Sequence, residues 1–493
     1  MIKETSVWKD GILQPAFSAL EDDLSFDVAV IGGGITGLTA AYILAKAGLE
    51  VCVLEKNKIA SGESSLTTAF ISFAADANLT ELAARWGEKK SGAVWRSMQE
   101  AADKIEKIVI DEFIDCDFIR CPLFYYATDK KGQENLLREF EYMEKLGIKA
   151  DLMAGVFNFD FSAIKIYNHA KFHPLKYLFT LAEKISLLGG KIFENTEIIS
   201  YSNCPKFSVK TKKNTVKAKN IVIATHNPDN WAFDVHTRIL PKQTYVIAGT
   251  SKKNLIPEGL YIDTQEPYHY FRLDSKSGRD IFFLGGEDHK TGKKQNKPYE
   301  KLEEYLDRLI SKNDYNLTNK WSGQILETAD GLPFVGRYIF NPKEFLTSTG
   351  YAGDGMTFGT LSAMINSDLI LGKKNEYEKL YSIKRFKGVK KFMKQNVNYI
   401  KQMVAGRIKT KKEPAKLPFN SGTVINEDNK KIAVYKDKNG RVQKMSAVCT
   451  HLGCIVAWNG IDKTWDCPCH GSKFYKNGEV KNGPANKPLA PLR

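Results

Sequence analysis

The chain has no uninterrupted apolar run of eighteen residues, the length below which a hydrophobic segment does not span a bilayer as a helix. Its first ten residues, MIKETSVWKD, lack the apolar stretch of a secretion signal. Cysteine is scarce, eight in 493 residues, so no disulfide scaffold holds the fold together and a cytoplasmic location is expected. Histidine is equally scarce at eight. Acid is outnumbered by base, 57 Asp and Glu against 72 Lys and Arg, for a formal net charge of +15. No nucleic-acid motif accompanies that excess, and lysine is spread along the chain, which reads as an ordinary basic surface. The length allows roughly two to four domains.

What is present begins close to the C-terminus. Cys449-Thr-His451-Leu-Gly-Cys454 and Cys467-Pro-Cys469-His470-Gly-Ser472 each offer one Cys and one His at near-contact spacing, fifteen residues apart. Cys449, His451, Cys467 and His470 can close on one metal centre as two thiolates and two imidazoles. Such a set can hold a tetrahedral zinc, although zinc knuckles usually space paired ligands more widely than C-x-H. It also suits one 2Fe-2S cluster in which two His replace two Cys on one iron.

Near the other end, Asp27-Val-Ala-Val-Ile31 has the pattern of a buried parallel strand. Gly32-Gly-Gly34-Ile-Thr-Gly37 is a tight turn, the next eleven residues form a helix ending at Gly48, and a second strand ends at Glu55. In this context Gly32 permits the turn, Gly34 lets backbone approach a pyrophosphate, and Gly37 lets helix pack on strand. Glu55 stands where an acidic residue would hold a ribose hydroxyl. The loop alone leaves NAD and FAD both open.

Residues 1 to 24, with Trp8 and Pro15, are expected to form an arm packed on the body, and residues 80 to 145 are helical by period. In Pro267 to His289 a turn at Ser275 to Arg279 would bring Tyr268, His269 and Tyr270 beside Glu287, Asp288 and His289. Only alternate side chains can face one side; Tyr270, His269 and His289 are the catalytic candidates. His169 and His173 lack a carboxylate at metal-binding spacing. Residues 373 to 417 form a basic helical linker, read as a solvated helix that docks the last domain. Contact with an acidic partner or an anionic membrane surface is the alternative. From Ser421 short strands with an Asn439-Gly440 turn follow.

The C-terminal motifs closely resemble the Rieske family. That resemblance implies a 2Fe-2S cluster on Cys449, His451, Cys467 and His470, and a Cys454–Cys469 disulfide tying the two loops together. It implies a hydrogen bond from Ser472 to cluster sulfur and a covering loop at Gly483-Pro484-Ala485. Phe474 stands where high-potential members carry Tyr, so a potential below the top of the family range of about −150 to +300 mV is expected.

The segment after Glu55, Ala60-Ser-Gly-Glu-Ser-Ser-Leu-Thr-Thr68, resembles flavoproteins of the D-amino-acid oxidase type. Asp330-Gly331-x-Pro333-x-x-Gly336 and Gly350-x-x-Gly353-Asp-Gly355-Met356 extend the likeness. It implies a discontinuous FAD-binding Rossmann-type α/β domain of the glutathione-reductase kind (about 25–80, 160–230 and 330–372). An antiparallel α+β substrate domain (about 81–159 and 231–329) and an all-β Rieske domain (418–493) complete the expected fold. Ser61, Thr67, Thr68, Gly350, Gly353, Gly355 and Met356 are the further FAD-binding candidates. The FAD is expected to be non-covalent, because no His precedes His169 and no Cys lies between Cys204 and Cys449. Glycine-oxidase-like enzymes hold the substrate carboxylate with Arg at places that correspond here to Ile325 and Gly353, which argues against an ordinary amino acid.

The whole order resembles the bacterial flavoprotein–Rieske fusion family of the YhfW type. The expected activity is oxidation of a small-molecule substrate, an amine or amino-acid derivative, with electrons passing from flavin to cluster and on to an unknown acceptor. Inward electron flow through the cluster, or a cluster acting as sensor or structural element, are the alternatives.

Overall fold

The computed structural model describes all residues except 1, 75, 158, 203–206, 229–232, 295, 339–343, 386–416 and 493. The strand Leu24–Ile31 pairs in parallel with Val51–Leu54 on one side and Thr215–Ile223 on the other, and Phe345–Thr349 follows in parallel beyond that. Val51–Leu54 is buried at all four positions, as expected of a strand covered on both faces. The antiparallel Phe334–Arg337 closes one edge, and the parallel Lys191–Phe193 lies at the other. This sheet draws its strands from three well-separated stretches of sequence. The helices Ile35–Lys46, Pro174–Leu187 and Gly355–Ile370 pack together over it.

The second sheet has nine strands and is largely antiparallel. Ile239–Ser251 lies between Asp280–Lys290 and Tyr315–Thr328, and Tyr270–Asp274 pairs with Asp280–Lys290 across the expected turn. One element departs from the helical reading of residues 80 to 145. Helices Leu79–Trp86, Glu88–Asp111 and Lys130–Lys145 are present, but Ile119–Tyr126 between them is a strand. It pairs in parallel with Gly259–Asp263 and antiparallel with Ala163–Lys171. Packing on two strand neighbours decides its conformation where local periodicity gave no sign.

The N-terminal arm is fixed by Trp8, which is 4% exposed. Its ring stacks on Phe283 at 4.7 Å, and its Nε1 donates to Thr67 O at 2.6 Å. Beneath it Arg272 is wholly buried, with Nε and Nη2 donating to the two oxygens of Asp274 at 2.8 and 2.7 Å. Lys171 Nζ meets the same carboxylate at 2.8 Å, and the Arg272 guanidinium lies 5.0 Å from the centre of the Trp8 ring, which ties the arm to the second sheet.

The C-terminal module consists of an antiparallel three-stranded sheet and a four-stranded one, joined by loops and packed around Trp465. It sits directly on the body. Lys473 Nζ donates to Gln243 Oε1 at 2.7 Å, Ser322 Oγ to Asp462 Oδ1 at 2.7 Å, and Gln324 Nε2 to Gly471 O at 2.8 Å. A Cβ on Gly471 would lie 2.5 Å from the Pro241 side chain, and one on Gly292 2.7 Å from Pro468 backbone. Both glycines have positive φ. The contact therefore has no room for a methyl group at either point.

Most of the expected basic linker, 386–416, lies outside the described residues. The chain leading into it is anchored by Arg385, whose guanidinium donates to both oxygens of Asp330 at 2.8 and 3.0 Å. Among the described residues no helix is long and apolar enough to cross a membrane.

Candidate active site and cluster loops

A cavity of about 400 Å³ opens between the two sheets of the body and the C-terminal module. Gly32 and Gly34 line one end. Gly32 has φ +105°, and a Cβ on Gly37 would fall 1.9 Å from Gly32 O, so helix and turn touch backbone to backbone. Glu55, at the end of the second strand, accepts from Gly33 N at 2.8 Å through one oxygen and from Asn57 N at 2.8 Å through the other. Burial raises its pKa and these donors oppose the rise. The carboxylate is thus fixed at the cleft wall, where a ribose hydroxyl could reach its remaining lone pairs.

The predicted flavin-side residues also border the cleft: Ser61, Thr67, Thr68, Gly353, Gly355 and Met356. Ser61 Oγ donates to Lys58 O at 2.6 Å, and Thr67 Oγ1 accepts from Ala69 N at 2.9 Å, so both also close local turns. Gly350 has φ +81° and leads into the turn before the helix Gly355–Ile370, whose amino end faces the cleft. A Cβ on Gly355 would meet nothing within 4 Å. Sequence reasoning missed Ser64, whose Oγ accepts from Ile35 N at 3.1 Å at the start of the first helix. It also missed Glu63, which accepts from Gln324 N and Asn482 Nδ2 and so joins cleft loop, sheet and module.

The hairpin is present as expected, yet only part of its polar set reaches the cleft. Tyr268, Tyr270 and Asp288 line it. Tyr270 OH is 2.9 Å from Thr244 Oγ1, and Tyr268 OH donates to Asp76 Oδ1 at 2.8 Å. His269 and His289 correct the expectation. His269 Nδ1 is held 3.0 Å from Asp263 Oδ2, with its ring stacked on Tyr305 at 3.9 Å, and His289 stacks on Tyr245. Neither belongs to the cleft wall. Alternation sends Asp288 one way and its neighbours the other, and a register shift at Gln243/Tyr245 with φ +57° at Glu287 sets which way that is.

The two cluster loops are built alike. Gly453 N donates to Cys449 O and Cys449 N to Cys454 O, at 3.0 and 2.7 Å. Gly471 N donates to Cys467 O and Cys467 N to Ser472 O, at 3.1 and 2.8 Å. Each ligand-bearing turn is therefore closed by the same pair of bonds at the same offsets. Cys454 and Cys469 form a disulfide with Cα atoms 6.5 Å apart, and the Cys467 sulfur lies within 4.8 Å of both. Cys449 and Cys467 are free and buried.

A hydrogen bond with Cys467 pulls the Cys449 thiol down to about 7, and the same contact pushes Cys467 up. The contact therefore favours thiolate at Cys449 and thiol at Cys467. The rings of His451 and His470 meet edge to face at 4.9 Å. Burial lowers both, His451 to about 4 and His470 to about 3, which keeps them neutral as metal ligation requires. His451 Nδ1 is buried and accepts no hydrogen bond among the described residues. Two thiols and two neutral imidazoles converging in this way fit a [2Fe-2S] cluster with mixed ligation. Ser472 Oγ accepts from Ala485 N at 3.0 Å, fastening Gly483-Pro484-Ala485 beside the loops, and Phe474 is fully buried.

The histidine edge of these loops turns toward the body. His236 packs its ring 4.9 Å from His451 and 6.4 Å from His470, while its Nε2 lies 2.6 Å from Pro228 O. Asn227 Nδ2 donates to the carbonyls of His470 and Gly483 at 3.1 and 3.2 Å. Pro484 and Ala485 line the same cleft as Gly353 and Tyr270. No sequence signal pointed to His236 or Asn227, since neither belongs to a motif.

Comparisons with known proteins agree with this geometry. Residues 27–369 match the model of the FAD dependent oxidoreductase family (DAO), and residues 411–493 match the Rieske [2Fe-2S] domain. The putative Rieske 2Fe-2S iron-sulfur protein YhfW of Bacillus subtilis is 32% identical over 98% of this chain and 96% of its own. Gamma-glutamylputrescine oxidoreductase of Escherichia coli is 25% identical over 73% of this chain and 87% of its own. In fold, glycine oxidase from Geobacillus kaustophilus superposes with a TM-score of 0.63 at 18% identity, covering 74% of this chain and 99% of that one. The chain belongs to the DAO family of FAD-dependent oxidoreductases and carries a C-terminal Rieske domain, so its cofactors are FAD and a [2Fe-2S] cluster.

Proposed function

We propose that this oxidoreductase oxidises an amine or amino-acid derivative in the cleft beside Tyr270 and Asp288, and that the electrons leave through the cluster to an acceptor outside the chain. One observation carries the reading: Pro484 and Ala485, fastened to the cluster loops through Ser472, form part of the cleft wall itself. FAD accepts two electrons with a hydride and can release them singly, and the cluster exchanges one at a time. The chain supplies position and charge. Gly32, Gly34, Gly37 and Glu55 would hold the dinucleotide end without a covalent link. Ser61, Thr67, Thr68, Gly350, Gly353, Gly355 and Met356 would border the ring. Cys449, His451, Cys467 and His470 would hold the cluster.

Tyr270, bonded to Thr244, orients the substrate, and Asp288 is the group able to hold a proton there, because burial pushes it up to about 7. The name of the E. coli gamma-glutamylputrescine oxidoreductase supports an amine as the substrate class. Anaerobic addition of an amine panel to the holoenzyme tests the reading. Flavin absorbance and the electron paramagnetic resonance of the cluster are expected to change together with at least one compound. His451→Ala is expected to keep flavin bleaching and to leave the outside acceptor unreduced. A cluster that stays oxidised while flavin bleaches would overturn the relay.

A further inference from the structure

Where the cleft meets the nine-stranded sheet, its wall carries three carboxylates, Asp76, Asp288 and Asp354. They come from three distant parts of the chain. Asp76 accepts from Gly353 N at 2.6 Å and from Tyr268 OH at 2.8 Å, and its own N–H donates to Asp354 Oδ2 at 2.8 Å. Asp76 is exposed at the cleft wall. Asp288 Oδ1 is buried and accepts no hydrogen bond among the described residues, although its side chain borders the cavity.

The lysines that line the cleft, Lys56, Lys473 and Lys481, stand beside Glu55 or on the C-terminal module. The cation that acts on the acidic group, Lys242, is committed to Glu327 at 2.5 Å. The acidic end thus keeps an excess of negative charge. Position 353 gives that charge a direction. A Cβ there would sit 2.9 Å from both Asp76 Oδ1 and Tyr268 OH, so Asp76 and Tyr268 close it to any side chain. A residue from this position cannot reach out to bind a substrate carboxylate, and its amide is spent on holding an Asp instead.

A carboxylate oxygen removed from water with no donor is costly, and a protonated amine supplies several donors with opposite charge. We propose that this acidic end of the cleft recognises a second, positively charged nitrogen, so that the substrate is a diamine or polyamine without a carboxylate. The inference rests on the reading of the cleft as an amine-oxidising site and narrows its substrate class. Burial raises Asp288 and Asp354.

Binding of three four-carbon probes to the anaerobic holoenzyme, followed by calorimetry and by the flavin difference spectrum, tests this. 1,4-Diaminobutane is expected to bind roughly tenfold or more tightly than butylamine, and 4-aminobutanoate more weakly than butylamine. Asp288→Asn is expected to erase the diamine's advantage while flavin content and melting temperature stay unchanged. The comparison of ligands on the unaltered enzyme stands whether or not that variant folds. Equal or tighter binding of 4-aminobutanoate, no binding of the diamine, or an undiminished preference in Asp288→Asn would each overturn the proposal. Selective binding that leaves flavin oxidised would instead remove the amine-oxidation reading and keep the site. Equal flavin reduction by butylamine and 4-aminobutanoate would keep that reading and remove the site.

Discussion

The imidazole of His236 stands edge-on to that of His451, ring centroids 4.9 Å apart and planes at 80°, so a residue of the flavin-binding body covers the histidine edge of the cluster loops. In a metal domain that met its partner in free solution, this edge would be open. Here the body occupies it.

Replacing His236 by Ala is expected to leave a gap at this contact. Removal of a buried ring costs about 2–4 kcal/mol where the surroundings relax only in part. Denaturation should show that loss, and a small external reductant should reach the cluster faster. His236→Phe, which refills the space, should restore stability.

Loss of the Cys454–Cys469 disulfide should act on the loops and leave the body unaffected. The bond closes a separation of 15 residues, for which the chain-entropy account gives about 3 kcal/mol. Cys454→Ser with Cys469→Ser is expected to release iron at a lower temperature or denaturant concentration, followed by loss of the cluster's visible spectrum. Flavin content should be unchanged.

The ion cluster under the N-terminal arm predicts acid sensitivity. Burial works against the Asp274 carboxylate, but Arg272 and Lys171 outweigh it and hold the group at about 2. An ordinary Asp titrates near 3.9. The folded value is the lower one, so the stabilisation is complete above about pH 4 and is lost as pH falls toward 2, to the extent of about 2–3 kcal/mol. Asp274→Asn should flatten the acid limb of a stability profile measured between pH 5 and 2. It should also destabilise the protein at neutral pH, because Arg272 is left buried without the opposite charge it pairs with.

Asp288 is shifted the other way, so its pH dependence falls near neutrality. Burial comes first in raising it to about 7, with Asp76 and Glu327 adding to the rise and Thr244 and Lys242 opposing it. Below that pH the group is neutral, and above it a carboxylate. Diamine affinity should therefore strengthen as pH rises from 6 to 8, since an alkylammonium remains protonated throughout that range. The slope should vanish in Asp288→Asn when affinity is measured at each pH.

What could be read from the sequence was what lies close together in it. The Cys and His expected to bind metal in each loop are two or three residues apart, and Gly32 to Glu55 is one turn, helix and strand, so local spacing carries both. Asp76, Asp288 and Asp354 meet only because two sheets and a helix start converge, and no spacing encodes that. His269 and His289 were placed on the right hairpin but on the wrong side of it, since a single bulge decides the alternation. Ile119–Tyr126 was hidden between helices, and its neighbours in the sheet lie about 40 and 140 residues further on.

Gly471 against Pro241 and Gly292 against Pro468 have a further consequence for engineering. The two halves of this protein meet like a key cut for one lock, each glycine facing a proline on the other side. A homologous iron-sulfur unit grafted onto this body would jam on a single extra carbon at position 471, whereas a graft that keeps that glycine, on a body that keeps Gly292, could seat.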